Sequence, residues 1–124
     1  MSANLSPPVE TPAFALRCYY RPGGAEDRLA IRIPHLEYMI AALPIKLFGG
    51  AILADDGSAI GMEVILRVPD RAAAERFLAA EPYARAGLFE RVEITPVRPM
   101  VPPGDGTRLH AELARERARR APGR

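Results

Sequence analysis

One of the chain's two histidines, His35, lies in the stretch Arg28-Leu29-Ala30-Ile31-Arg32-Ile33-Pro34-His35-Leu36, within reach of two arginines. An imidazole titrates near pH ~6.5 when unperturbed, so it takes up and returns a proton at neutral pH. A guanidinium offers a planar fork of donors to an oxyanion. Together these types suit acid–base chemistry on a small anion, with His35 moving the proton, Arg32 anchoring the charge and Arg28 standing one turn earlier. The plainer alternatives are a boundary histidine satisfied by a backbone carbonyl, and arginines that are solvated or paired with Glu37, Glu63 or Glu90. Downstream, Ala74, Phe77, Leu78 and Glu81 recur at helical spacing, which directs the Glu81 carboxylate along the buried side of a second helix. Glu81 precedes Pro82, where an acidic residue commonly caps a new helical turn. Tyr83 follows, either lining a cleft or simply packing.

The elements that must hold these residues are legible from periodicity. Phe14, Leu16, Cys18 and Tyr20 alternate with Ala13, Ala15, Arg17 and Tyr19, which predicts a strand over 13–20, closed by Arg21-Pro22-Gly23-Gly24. Leu29, Ile33, Leu36, Ile40 and Leu43 step by four and three, the spacing of one buried helical face, with Asp27 as N-cap. Pro34 either kinks that helix or follows a short first turn and opens the helix proper. On this phase His35 lies about 120° from the centre of the apolar stripe, on a boundary shared with Arg32 and Met39. Pro44 ends the helix. Residues 45–53 form the next strand, where Gly49-Gly50 marks a bulge or the close approach of a ligand, so Gly50 joins the substrate-binding candidates. Asp55-Asp56-Gly57-Ser58 turns the chain into a strand over 60–68, with Met62, Val64, Leu66 and Val68 on one face. Asp70 caps an alanine-rich helix over 71–81, one further turn runs from Pro82 to Gly87, and a last strand spans 88–97.

Composition narrows the classes. A chain of 124 residues makes one compact domain. Prolines concentrate toward its ends, which divides it into a flexible arm over 1–12, a folded domain over 13–98, and a proline-rich linker with a basic helix over 99–124 anchored by Leu109 and Leu113. Residues 104–124 hold six arginines against three acids, so the basic charge belongs to this tail and is no sign that the domain binds nucleic acid. The single cysteine, Cys18, forbids an internal disulfide and reads as an inert core thiol. With no secretory signal and no apolar run of roughly 20 residues, the expected location is the cytoplasm, with no membrane contact. Scattered histidines and cysteine give no metal site, and no phosphate loop accompanies the glycine pair, so neither metal nor cofactor is expected. An RNA-binding reading is disfavoured, because the strands lack the aromatic signature on which bases stack.

The order strand, helix, strand, strand, helix, strand is the α+β ferredoxin-like βαββαβ arrangement, a four-stranded antiparallel sheet with two helices on one face. Partly apolar alternation on the other face predicts a homodimer through packed sheet faces. Over residues 13–98 the chain resembles the YciI-like proteins of the dimeric α+β barrel class. The likeness is carried by Arg28-Leu29-Ala30-Ile31-Arg32-x-x-His35-Leu36, the glycine pair, Asp55-Asp56-Gly57 and Glu81-Pro82-Tyr83-x-x-Ala86-Gly87-Leu88-Phe89. The resemblance implies a histidine on the first helix facing a carboxylate at the end of the second, as a catalytic pair, which falls on His35 and Glu81. It further implies cofactor-free lyase or isomerase chemistry on small cyclic or quinoid compounds. The family pattern has aspartate before Pro-Tyr, and glutamate is one methylene longer. That difference supports a second expectation, a ligand-binding or regulatory module that has kept the cleft without turnover.

Overall fold

The structure is a computed structural model and describes residues 12–100 and 107–120; most of the expected N-terminal arm and the linker segment 101–106 lie outside the described residues, as does the Leu109 side chain. Alternation in the first apolar stretch produces β1 (Ala13–Tyr20), whose Phe14, Leu16 and Cys18 are buried. β1 pairs antiparallel with β3 (Ala59–Arg67) on one side and β4 (Phe89–Val97) on the other. β2 (Lys46–Leu53) pairs antiparallel with β3 and forms an edge, giving the order β2-β3-β1-β4. This is the α+β ferredoxin-like fold that the element order predicts. In register, Phe14 faces Leu66, Leu16 faces Val64 and Cys18 faces Met62. Those six side chains form one wall of the core, and Met39, Ala74 and Phe77 from the helices close it. At Gly61 the sheet is too tight for any side chain, since a Cβ there would stand 2.2 Å from the Cys18 carbonyl oxygen.

The second helical segment follows its sequence signals. Asp70 accepts the Ala73 amide at 2.8 Å and caps the helix that starts at Arg71. The first helical segment departs from expectation. It begins as a four-residue turn, α1 (Gly24–Asp27), passes through a 3₁₀ turn over Arg28–Ile31, and becomes α2 (Arg32–Ala41). Asp27 therefore caps nothing; it ends α1 and pairs with Arg21 at 3.0 Å. Pro34 is the third residue of α2, within the first turn, where its missing N–H costs no intrahelical bond.

The buried face of α2 is also not the expected one. Leu29, Ile33, Leu36, Ile40 and Leu43 are all exposed, Ile33 to 72%, whereas His35 and Met39 are buried at 9%. The sequence carries two interleaved series at i, i+3, i+4 and i+7. One is the conspicuous aliphatic stripe; the other is His35, Tyr38, Met39 and Ala42, centred about 130° away. The second series docks, with Tyr38 and Ala42 packed against the core. Its polar members find partners there: the Tyr38 hydroxyl donates to the Phe77 carbonyl at 2.7 Å, and His35 meets a carboxylate. Burial of a polar face is affordable when every polar group on it is bonded.

α3 (Arg71–Ala80) stops at Glu81, and α4 (Pro82–Arg85) starts with proline at its first position. Gly87, at φ +72°, then turns the chain into β4. The sheet face away from the helices is mixed in character. Arg17 pairs with Glu63 at 2.9 Å, and Arg91 lies 3.9 Å over the Tyr19 ring, amid Ala15, Ile65 and Val97. Beyond the domain, α5 (Thr107–Arg120) exposes Leu113.

Candidate active site

Glu81 is the joint between α3 and α4, and its carboxylate serves both sides of that joint. One oxygen, Oε1, accepts the Ala84 amide at 3.1 Å and caps α4. The other, Oε2, lies 2.5 Å from His35 Nδ1, which crosses 46 positions of sequence. The extra methylene of glutamate thus leaves the capping function in place and reaches the imidazole as well. Glu81 is fully buried, and the His35 side chain is nearly so. Since the carboxylate only accepts, Nδ1 carries the proton of this bond, and Nε2 is the ring nitrogen left for other work.

Tyr83, on α4, stacks parallel to His35, with ring centroids 3.7 Å apart and planes 3° apart. It is 1% exposed, and its hydroxyl accepts from Arg32 Nη1 at 3.3 Å. Tyr20 and Phe89 pack edge-on against the other side of this aromatic group. The imidazole plane is therefore set by a carboxylate in line and a ring in parallel. Arg28 lies 5.8 Å over the Tyr20 ring rather than pairing with any of the acids considered for it. Burial raises the Tyr20 hydroxyl above the ordinary tyrosine range, against the opposing pull of Arg28.

His35, Tyr83, Arg32 and Arg28 open onto one cavity of about 510 Å³, which lies between α2 and the β2–β3 edge of the sheet. Gly50 lines it too, so these five of the six sequence-predicted site residues line one cavity, while Glu81 stands behind His35. The glycine pair is not itself the bulge. Register shifts fall on either side of it, between Lys46 and Phe48 and between Ile52 and Leu53. Sequence reasoning missed Lys46, the chain's only lysine, which also lines the cavity; its position in the sequence carries no signal of that.

Electrostatically the cavity is one-sided. Arg28, Arg32 and Lys46 line it, no carboxylate among the described residues does, and Glu81, behind His35, has both oxygens engaged. Such a wall concentrates anions. Among the described residues no three histidine, cysteine, aspartate or glutamate side chains gather as a metal would need, and no helix is long and apolar enough to cross a membrane. Cys18 lies behind the site rather than in it: burial, and then the Glu81 charge, push its thiol up to about 12. The native protein is therefore expected to leave a thiol-reactive disulfide reagent unconsumed at neutral pH, and the unfolded chain to consume one equivalent. Rapid labelling before unfolding would show Cys18 to be an accessible thiolate.

The fold and this cavity define an α+β ferredoxin-like domain with a buried histidine–carboxylate contact. The chain belongs to the YCII-related domain family, whose model matches residues 13–98. Among solved structures it is similar to 5-chloro-2-hydroxyhydroquinone dehydrochlorinase from Burkholderia phenoliruptrix in complex with 2,5-dihydroxybenzoquinone. That match has 23% identity and a TM-score of 0.64, over 69% of this chain and 93% of that one. A putative antibiotic biosynthesis monooxygenase from Bacteriodes thetaiotaomicron aligns at 16% identity and a TM-score of 0.47, over 73% of this chain and 90% of that one. No curated protein matches the sequence.

Proposed function

We propose that this protein is a cofactor-independent enzyme of lyase or isomerase type that moves a proton on a small unsaturated or cyclic organic anion. The observation that carries the proposal is the contact between His35 Nδ1 and Glu81 Oε2 behind a cationic cavity. In this reading Arg32, helped by Arg28, holds the anionic oxygen of the substrate, and Tyr83 keeps the imidazole in plane. His35 Nε2 takes a proton from an acidic O–H or C–H of the substrate, and Glu81 offsets the positive charge that the ring acquires. The electron pair left behind either expels an anionic leaving group, which is an elimination, or shifts a double bond before the proton returns at another atom, which is an isomerisation. Neither course changes the substrate's net oxidation state. The dehydrochlorinase likeness, together with the quinoid ligand held by that protein, supports halogenated hydroxyquinols as the first compounds to try.

The test is to incubate the full chain with 5-chloro-2-hydroxyhydroquinone and follow chloride release against a buffer blank. Release that disappears in His35→Ala supports the enzyme reading. Binding with the compound recovered unchanged would favour the ligand-binding module instead. Assembly belongs to the same proposal: two copies pack through the sheet faces away from the helices, where Ile65 and Val97 supply apolar area around the Arg17–Glu63 pair. Sedimentation is expected to give a dimer for the full chain and a monomer for Ile65→Glu. A monomeric parent protein at micromolar concentration would overturn it.

A further inference from the structure

Lys46 is the chain's only lysine, and it opens the edge strand of the sheet on the wall of the cavity opposite α2. Its stem runs along the strand over Gly49, where an added Cβ would stand 3.6 Å from Cδ and 3.8 Å from Nζ. A register shift between Lys46 and Phe48 sets the residue out of step with the rest of β2, as bulges do when they re-aim a side chain. Lys46 has no ion-pair partner among the described residues, in contrast to Arg17 and Arg21, which each hold a carboxylate. The same holds for the other two cations of the cavity: Arg32 meets the Tyr83 hydroxyl, and Arg28 lies over a ring. Partial burial pulls the Lys46 ammonium below its ordinary value, and a neighbouring anion would favour its charged form.

Cations thus line the cavity from the helical side, Arg28 and Arg32, and from the β2 strand, Lys46. We propose that Lys46 is the second anion-binding group of this site, so that the ligand is an organic dianion with one oxyanion on Arg32 and Arg28 and the other on the Lys46 ammonium. The inference rests on the small-anion reading of the cavity given above and adds what that anion must carry. It bears on Gly49 as well, where a Cβ would already touch the lysine stem and a branched side chain would extend into the space that the stem crosses.

A chain with one lysine makes the test direct. Reductive methylation with ¹³C-formaldehyde keeps the positive charge and gives a single lysine side-chain signal. The probes are 2,5-dihydroxybenzoquinone, which ionises at two opposite oxygens, and its monomethyl ether, which ionises at one. The dianion is expected to shift the Lys46 signal and to bind about 10–100-fold more tightly than the ether, as a charge-assisted bond would give. Lys46→Met is expected to remove that preference while leaving affinity for the ether within about twofold, and Lys46→Arg to keep it. Gly49→Val, with the lysine intact, is expected to lose it too. A Lys46 signal that stays still at saturation, equal affinities for the two compounds, or no binding of either overturns the inference. Turnover reads out separately. Dianion preference without chloride release leaves the Lys46 assignment standing and removes the catalytic reading. Chloride release that depends on His35 but not on Lys46 does the reverse.

Discussion

Glu81→Gln is expected to lower kcat/KM in the chloride-release assay by about 10²–10⁴-fold while changing stability little, the range associated with loss of a positioned acid–base group. The reason is the direction of two bonds. Glu81 now accepts from both Ala84 and His35. A glutamine in the same place has one acceptor and one donor. With its oxygen on Ala84 the cap survives, and its amide donates to Nδ1, which forces the histidine proton onto Nε2. The nitrogen facing substrate then donates where it must accept. With the amide turned over, the tautomer is right but two donors meet at Ala84 and α4 loses its cap. Either way one function fails, and kinetics with a melting curve tells which. Activity within about threefold of the parent together with an unchanged melting temperature would show that the pair takes no part in the chemistry.

Glu81→Ala is expected to cost about 3–5 kcal/mol of folding stability, the usual effect of removing one member of a buried pair. The side chain is fully buried, so its loss leaves a void and an imidazole N–H with no acceptor. The lost cap accounts for about 1 kcal/mol of the total. His35→Ala removes the same contact from the other side and strands a buried carboxylate. The double variant should then fall well short of the sum of the two single losses, because each already includes the broken contact. Urea unfolding of the four proteins measures this. Strict additivity would mean that the two side chains are adjacent without being coupled.

The fold was legible because its strands alternate cleanly and its breakers are specific: Pro22-Gly23-Gly24, Pro44, Asp56-Gly57 and Gly87 fall at or beside the ends of elements. The phase of α2 was not. Hydrophobic periodicity ranks Ile33, Leu36 and Ile40 above His35, Tyr38 and Met39, and it has no means of knowing that a carboxylate and a carbonyl wait opposite the second set. A polar face becomes core only through contacts dozens of residues away. For the same reason His35 reads as a boundary residue from its own helix, although Glu81 was already placed on an inward face by its spacing. Lys46 escaped notice because nothing about a lone lysine at a strand start predicts a cavity. Only the sheet order, which brings the β2 edge across from α2, gives it neighbours.

The shared carboxylate of Glu81 has a consequence for watching the molecule at rest. Whenever the short turn α4 opens, the Ala84 hydrogen is released to solvent and Oε1 swings free. Deuterium uptake at that one amide therefore counts the molecules in which the Glu81 carboxylate has lost one of its two anchors, with no substrate present. The hold on the acid's orientation becomes a quantity visible in an unliganded sample, recorded by a backbone atom that takes no part in the chemistry.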